Sequence, residues 1–220
     1  MMRKYLLRLC LILSSVLLIG ATTVVVPKWV RVKWVCDGDT IVLRDGRHVR
    51  YIGINAPEIA HDHHRAEAFG YAAKKYNQSL VRSKKVRLEF DKEQYDRYGR
   101  LLAYIFLLDG TFINKKMIEK GYAHVLHRRP NIKYDGVLLK AQRDAMSAKQ
   151  GIWRNWNDDN KSQEYVGNKQ SKRFHLKTCP YGKRIEKRNR IFFSRKWDAF
   201  WSGFAPCKQC MAGGGLKMVD

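Results

Sequence analysis

The residues with the clearest capacity for chemistry crowd into Val35–Glu58, VCDGDTIVLRDGRHVRYIGINAPE. Asp39 offers a carboxylate that could hold a cation, and Arg50 a guanidinium that could hold a phosphate. Asp45-Gly46, set between two β-branched and apolar runs, predicts a two-residue hairpin turn. That turn would pair Arg44 with Arg47, Val42 with Val49 and Ile41 with Arg50. Side chains alternate along a strand, so Asp39, Ile41 and Arg50 would share one face. Asp39 and Arg50 would then be diagonal neighbours, about 7–8 Å apart at the backbone. Asn55 and Glu58 follow, with Pro57 keeping the segment extended or turned. A surface hairpin carrying ordinary charges is the alternative for this stretch taken alone.

Several further elements must position these groups. Val30, Val32 and Trp34 alternating with Arg31 and Lys33 predict a strand with one basic, solvated face. Tyr71, Ala72, Tyr76 and Leu80 predict an amphipathic helix over 70–82, and strand alternation returns at Val86–Phe90. Arg100 opens an apolar run to Leu108, turned by Asp109-Gly110. A short helix is expected from Ile113 to a stop at Gly121, and a last one over 134–149 before Gly151. Periodicity alone says only α+β.

Three motifs occur in order: Asp37-Gly38-Asp39-Thr40, then Arg50 through Glu58 (RYIGINAPE), then Tyr98-Gly99-Arg100 before an apolar strand. Over roughly residues 28–153 the chain resembles the staphylococcal nuclease (thermonuclease) family. The resemblance implies an OB-type five-stranded β-barrel with about three helices. It also implies hydrolysis of phosphodiester bonds, a reaction that needs an activated water and charge neutralised on the phosphate. Arg50 and Arg100 suit the second task because guanidinium is a permanently charged bidentate fork. That permanence argues for electrostatic stabilisation by Arg100 rather than proton donation. Glu58 is the candidate base. Asp39 would ligate a hard divalent cation with the Asn55 side-chain oxygen and the Ala56 carbonyl; by resemblance the ion is calcium. Asn55 replaces the family's usual aspartate, which predicts weaker calcium binding. Lys92, Arg97, Tyr98 and Tyr122 are candidates to border a nucleic-acid groove, with Tyr122 equally suited to the core. His127 and Arg129 stand where the best-known member has tyrosines at its nucleotide pocket, so base stacking should be reduced. His61-Asp62-His63-His64 is read as a solvated loop rather than a metal cluster.

Forty-three Lys+Arg against 20 Asp+Glu give a net charge of +23 over 220 residues. Such an excess favours a polyanionic partner, nucleic acid or an anionic membrane surface, and is well beyond the about 2–8 usual for solubility. Arg3, Lys4 and Arg8 precede an uncharged run from Leu9 to Val26, so residues 1–26 read as a signal peptide or signal-anchor. Export follows: secreted, periplasmic, or anchored on the outer face of the membrane through residues 9–26. A monomer is expected.

Residues 27–156 form the expected nuclease domain, with 157–170 (NDDNKSQEYVGNKQ) as a polar linker. Beyond it, His175-x3-Cys179 and Cys207-x2-Cys210 are four ligands suited to tetrahedral zinc. Residues 171–213 accordingly read as a small zinc-knuckle-like domain. This segment resembles the metal-binding domain of the bacterial Ada DNA-repair protein. His175 stands at that family's methyl-accepting cysteine, so methyl transfer is not carried over. In an exported protein a disulfide competes with zinc.

The combined expectation is an exported, calcium-dependent endonuclease acting on DNA, with RNA as a further candidate substrate. One rival is a non-catalytic OB-type binding protein, against which the combination of Arg50, Glu58 and Arg100 argues. The other treats the tail as a DNA-binding zinc module with the barrel as its carrier.

Overall fold

A computed structural model describes residues 29–60, 65–156 and 164–211. The signal segment and the His61–His64 stretch lie outside the described residues. Five strands close a barrel: β1 (Val30–Val35), β2 (Thr40–Leu43), β3 (His48–Tyr51), β5 (Lys85–Glu89) and β6 (Leu101–Phe106). Their order is β1-β2-β3-β6-β5, with β3 and β6 parallel and the other neighbours antiparallel. That is the expected α+β, five-stranded barrel. Three helices pack around it: α1 (Gly70–Val81), α2 (Ile113–Glu119) and α3 (Asp135–Ser147). A short ladder joins β4 (Ile54–Asn55) to β7 (His124–Val125) beside the barrel. Closure buries the apolar runs completely: Ile41, Val49, Val86, Ala103 and Ile105 are all inaccessible to solvent.

The β2–β3 register differs from the expected one by one residue. Thr40, not Ile41, faces Arg50, and Ile41 faces Val49. The loop holds three residues rather than two. Gly46, at φ +88°, donates its N–H to the Leu43 carbonyl, and the Leu43 N–H bonds to Arg47 O at 2.9 Å. A positive-φ third residue is the bulged form of hairpin, which a D-G pair supports as readily as the two-residue turn. Asp39 therefore lies opposite Tyr51, whose N–H donates to Asp39 O at 2.9 Å.

Two side-chain faces also need correction. A bulge between Val32 and Trp34 breaks β1 alternation, so Trp34 stands 46% exposed with Lys33 over its ring while Val35 is buried. In α1 the buried positions are Gly70, Ala73, Asn77 and Val81, not Tyr71 and Ala72, which face water. Asn77 is the reason for that rotation. It accepts from Tyr51 Oη at 2.9 Å and donates to the Asp37 carbonyl at 3.1 Å, tying helix and barrel to the DGDT loop.

The polar stretch expected as a linker to Gln170 instead enters a strand at Tyr165. β8 (Tyr165–Asn168) is central in a second sheet, ordered β10 (Arg190–Phe193), β8, β9 (Arg173–Leu176), β11 (Ala205–Pro206). Two small helices, α4 (Pro180–Lys183) and α5 (Lys196–Trp201), complete this part. Its aromatic core contains Phe174, Phe200 and Phe204 and runs without a break into Ala145 and Met146 of α3 and Trp153. Buried Gln142 of α3 accepts the Val125 N–H and donates to Phe200 O, both at 2.6 Å, joining the two parts through one side chain. Among the described residues no helix is long and apolar enough to cross a membrane.

Candidate active site and metal centre

A cleft of about 400 Å³ opens at one rim of the barrel, and Asp39, Arg50, Asn55, Glu58 and Arg100 all line it. Arg50 is pinned from several directions. Its Nη1 donates to the carbonyls of Tyr51 (2.6 Å) and Ile54 (2.9 Å), and its Nη2 reaches Asn55 Oδ1 (3.2 Å) and Asp39 Oδ2 (2.9 Å). The expected Asp39–Arg50 neighbourhood thus exists as a direct ion pair, made by the length of the arginine side chain in the shifted register.

Asp39 is buried. Its Oδ1 accepts from Thr40 Oγ1, and Oδ2 also accepts the Ala56 N–H at 2.7 Å. Burial pushes its carboxyl up to about 7, against the opposing pull of Arg50. Asp37 lines the cleft beside it, its Oδ1 accepting the Asp39 N–H at 2.8 Å. Asn55 turns its Oδ1 to Arg50 and its Nδ2 to Ala56 O at 3.3 Å. Hard oxygen donors of Asp37, Asp39 and Asn55 therefore gather on one wall, a donor set that fits a calcium-like cation. Ala56 is buried behind that wall and does not line the cleft.

Arg100 is held from behind by Asp96, whose Oδ2 accepts both Nε and Nη2 at 2.8 Å. Burial would raise the Asp96 carboxyl, but the hydrogen bonds from Arg100 and the backbone outweigh it and lower its pKa. Glu58 presents its carboxylate at the cleft while its N–H donates to Glu67 Oε2 at 3.1 Å. Gly70, opening α1, lies so close that a Cβ there would sit 2.2 Å from the Glu58 carbonyl oxygen. The absence of a side chain lets the helix press Glu58 toward the cleft.

Of the expected groove residues, Arg97 and Tyr98 line the cleft; Tyr98 is 67% exposed, with Arg97 and Arg100 over its ring. Lys92, Tyr122, His127 and Arg129 do not line it. Tyr122 packs on Tyr76 against the barrel core, and His127 pairs with Asp135. Arg128 takes the place expected for Arg129, in a segment pinned where Asn131 exchanges hydrogen bonds with the Glu93 backbone. Sequence reading missed Asp37 as a donor, Asp96 as the partner of Arg100, and Arg128. It also missed Arg173 and Lys208, which reach the cleft from the second sheet. Asp96 had a readable signal, a carboxylate four residues before the motif arginine; the last two had none.

The second sheet gathers His175, Cys179, Cys207 and Cys210 with their ligand atoms all within 4.8 Å of one another. Tetrahedral zinc with thiolates requires separations of about 3.8 Å. His175 is on β9, Cys179 precedes α4, and the Leu176 N–H points at Cys210 Sγ at 3.4 Å. Burial opposes ionisation of Cys179, but the N–H groups of Gly182 and Tyr181 and the neighbouring thiols outweigh it and lower its pKa. Cys36, Cys179, Cys207 and Cys210 are all free thiols.

Comparison with known proteins agrees with this geometry. The family model described as staphylococcal nuclease homologue matches residues 48–155. The chain is 39% identical to the thermonuclease of Staphylococcus hyicus over 124 residues, 55% of this chain and 73% of that protein. Identity to the thermonuclease of Staphylococcus intermedius is 38% over 125 residues, 56% of this chain and 74% of that one. Endonuclease YncB of Bacillus subtilis (strain 168) is 38% identical over 122 residues, 53% of this chain and 57% of that protein. A barrel with this strand order and this cleft, and relatives of which it covers almost three quarters, leave one conclusion: the chain belongs to the staphylococcal nuclease family.

Proposed function

We propose that this chain is an exported, cation-dependent endonuclease that hydrolyses phosphodiester bonds of DNA, with RNA as a further candidate substrate. Its relatives are named thermonuclease and endonuclease, and a hydrolase of nuclease type is the activity its own cleft supports. The observation that carries the reading is the convergence of Arg50, Glu58 and Arg100 on one cleft beside the buried Asp39. A protein that only bound nucleic acid would have no use for a glutamate in a cleft lined by Arg50 and Arg100. Export is supported by Arg3, Lys4 and Arg8 ahead of the uncharged Leu9–Val26 run.

In this reading Arg100 grips the non-bridging oxygens of the scissile phosphate, and Arg50, held through Nη1, turns Nη2 from Asn55 and Asp39 to the same phosphate as the cation takes those two oxygens. Asp96 fixes the angle of Arg100, and the Tyr51 and Ile54 carbonyls fix that of Arg50. Glu58 orients a water and accepts its proton as the oxygen attacks phosphorus, while the P–O bond to the leaving oxygen breaks and that oxygen takes a proton from solvent. Both arginines keep their charge and neutralise the growing negative charge on the phosphate. Calcium, held by Asp39, Asn55 and neighbouring oxygens, would add positive charge at the same phosphate. The Cys/His cluster is assigned to zinc, a choice supported by four convergent ligands where a single disulfide would strand a sulfur.

Digestion of plasmid DNA and of RNA by the full chain tests the reading, with calcium, magnesium or chelator present. Cleavage should require a divalent cation and should fall on the order of 10²-fold or more in Glu58→Gln, Arg50→Ala and Arg100→Ala. Full activity in any folded variant removes that residue from the mechanism; no cleavage by the parent under any cation overturns the assignment.

A further inference from the structure

One wall of the cleft is built from residues beyond the 48–155 region shared with the family. Arg173, on β9, and Lys208, between Cys207 and Cys210, both line it. Lys208 Nζ lies 3.2 Å from Glu58 Oε1, with 69% of the lysine side chain and 39% of the glutamate exposed. A pair so open to water holds weakly and exchanges readily for another anion.

Arg173 is better fixed. Its strand is paired on both sides, with Ala205 of parallel β11 opposite it and Asn168 of β8 on the other flank. Its Nη1 donates to the Pro206 carbonyl at 3.1 Å. Among the described residues no carboxylate lies within ion-pair distance of it, and its charged neighbours are the Cys207 sulfur, which favours the cation, and Arg128 and Arg50, which oppose it. A guanidinium drawn partly out of water beside like charges costs free energy that a bound anion would offset.

We propose that Arg173, Lys208 and Arg128 form a second phosphate-binding locus in the same cleft, through which the C-terminal sheet grips a single nucleic-acid strand at a phosphate beside the one being cleaved. The proposal rests on the nuclease reading and extends it to substrate length. Arg173 is the preorganised anchor, since its backbone and Nη1 are already committed within the sheet. Lys208 is the mobile partner, leaving Glu58 for a backbone phosphate as the strand enters and freeing the glutamate to face water. The cluster of His175, Cys179, Cys207 and Cys210 is tied to both cations through the chain. Arg173 lies two residues from His175, and Lys208 sits inside the Cys207–Cys210 knuckle.

The test uses the full chain with a short single-stranded DNA and a dinucleotide as alternative substrates. Arg173→Ala should raise KM for the oligonucleotide about tenfold, Lys208→Ala and Arg128→Ala by a smaller factor, with kcat changing less than KM. The rise should be larger for the oligonucleotide than for the dinucleotide. Binding of the oligonucleotide in a Glu58→Gln background, followed by fluorescence anisotropy, should lose about 0.7 from the slope of log K against log salt per contact removed. Lys208→Arg should recover that slope. Lys208 and Arg128 are exposed, so their variants keep the proposal testable even where Arg173→Ala disturbs the sheet. Unchanged KM and slope in these folded variants overturns the locus while parental cleavage leaves the nuclease reading intact. A faster Lys208→Ala enzyme also overturns it, making the Glu58 contact a latch. A parent that binds the oligonucleotide with the expected slope losses yet cleaves nothing sinks the nuclease reading alone.

Discussion

At the scale of single residues, position 55 sets the character of the cation wall. Asn55 contributes an amide oxygen where a carboxylate would add a charge, and that oxygen already accepts from Arg50 Nη2 at 3.2 Å. Arg50 therefore leans on two groups proposed as cation ligands, Asp39 and Asn55, and a cation must compete with it for both. Asn55→Asp should tighten calcium binding on the order of tenfold and lower the calcium giving half-maximal activity. Calorimetric titration with calcium checks this; unchanged affinity would remove position 55 from the ligand set. Motif spacing made Asp39, Arg50, Glu58 and Arg100 readable because each sits at a fixed offset from a turn or strand start. Arg173 and Lys208 were unreadable as site residues because nothing local in the sequence links them to Arg50 and Glu58, more than a hundred residues earlier.

At the scale of elements, the barrel depends on β5 for the placement of α3. Glu89 on β5 accepts from Lys133 Nζ (2.6 Å), Tyr134 Oη (2.7 Å) and Arg87 Nη1 (2.7 Å), just ahead of α3. Burial alone would raise its carboxyl, but these donors outweigh it and hold the pKa at about 2. A carboxylate depressed in the folded state contributes stability above its unfolded pKa, here 4.5, and that contribution is lost as pH falls from 4.5 through about 2. Glu89→Gln should therefore destabilise the protein by on the order of 2 kcal/mol at neutral pH, discounting for the exposed Lys133. The difference from the parent should shrink between pH 4.5 and 2; denaturant unfolding across that range measures it, and a pH-independent difference would mean simple loss of packing. The five barrel strands and the three helices around them were legible in order from periodicity, but β4, β7 and the second sheet were not, and the faces were less so. The register of β2–β3 turned on whether Gly46 closes a two- or three-residue loop, and D-G serves both. The rotation of α1 turned on Asn77, a polar residue buried for its hydrogen bonds, which hydrophobic spacing cannot anticipate.

At the scale of the whole molecule, the C-terminal sheet behaves as part of the nuclease rather than as a tethered module. Trp153 meets Phe200 edge-on with ring centroids 5.2 Å apart, and Phe200 meets Phe174 in the same way at 5.3 Å. Met146 and Trp153 belong to the barrel side by sequence, yet both are fully buried in the core of the second sheet. A boundary drawn at residue 156 from a change in composition cuts through this core, because composition reports polarity along the chain and not what its last helix packs against. Ending the chain at 156 should expose Met146 and Trp153, strip Gln142 of its Phe200 acceptor, and cost about 3 kcal/mol or more. Thermal unfolding of the truncated chain against the full one checks this. Removing metal from the Cys/His cluster by a strong chelator should act in the same direction but less severely, since it loosens β9 and the Cys207–Cys210 knuckle without deleting the aromatic core. Both treatments should lower the melting temperature of the barrel itself, read from the near-ultraviolet signal of its tyrosines. A barrel that melts at the parental temperature after truncation would mean that the contacts through α3 add nothing, and that the C-terminal sheet is an appendage in energy as well as in sequence.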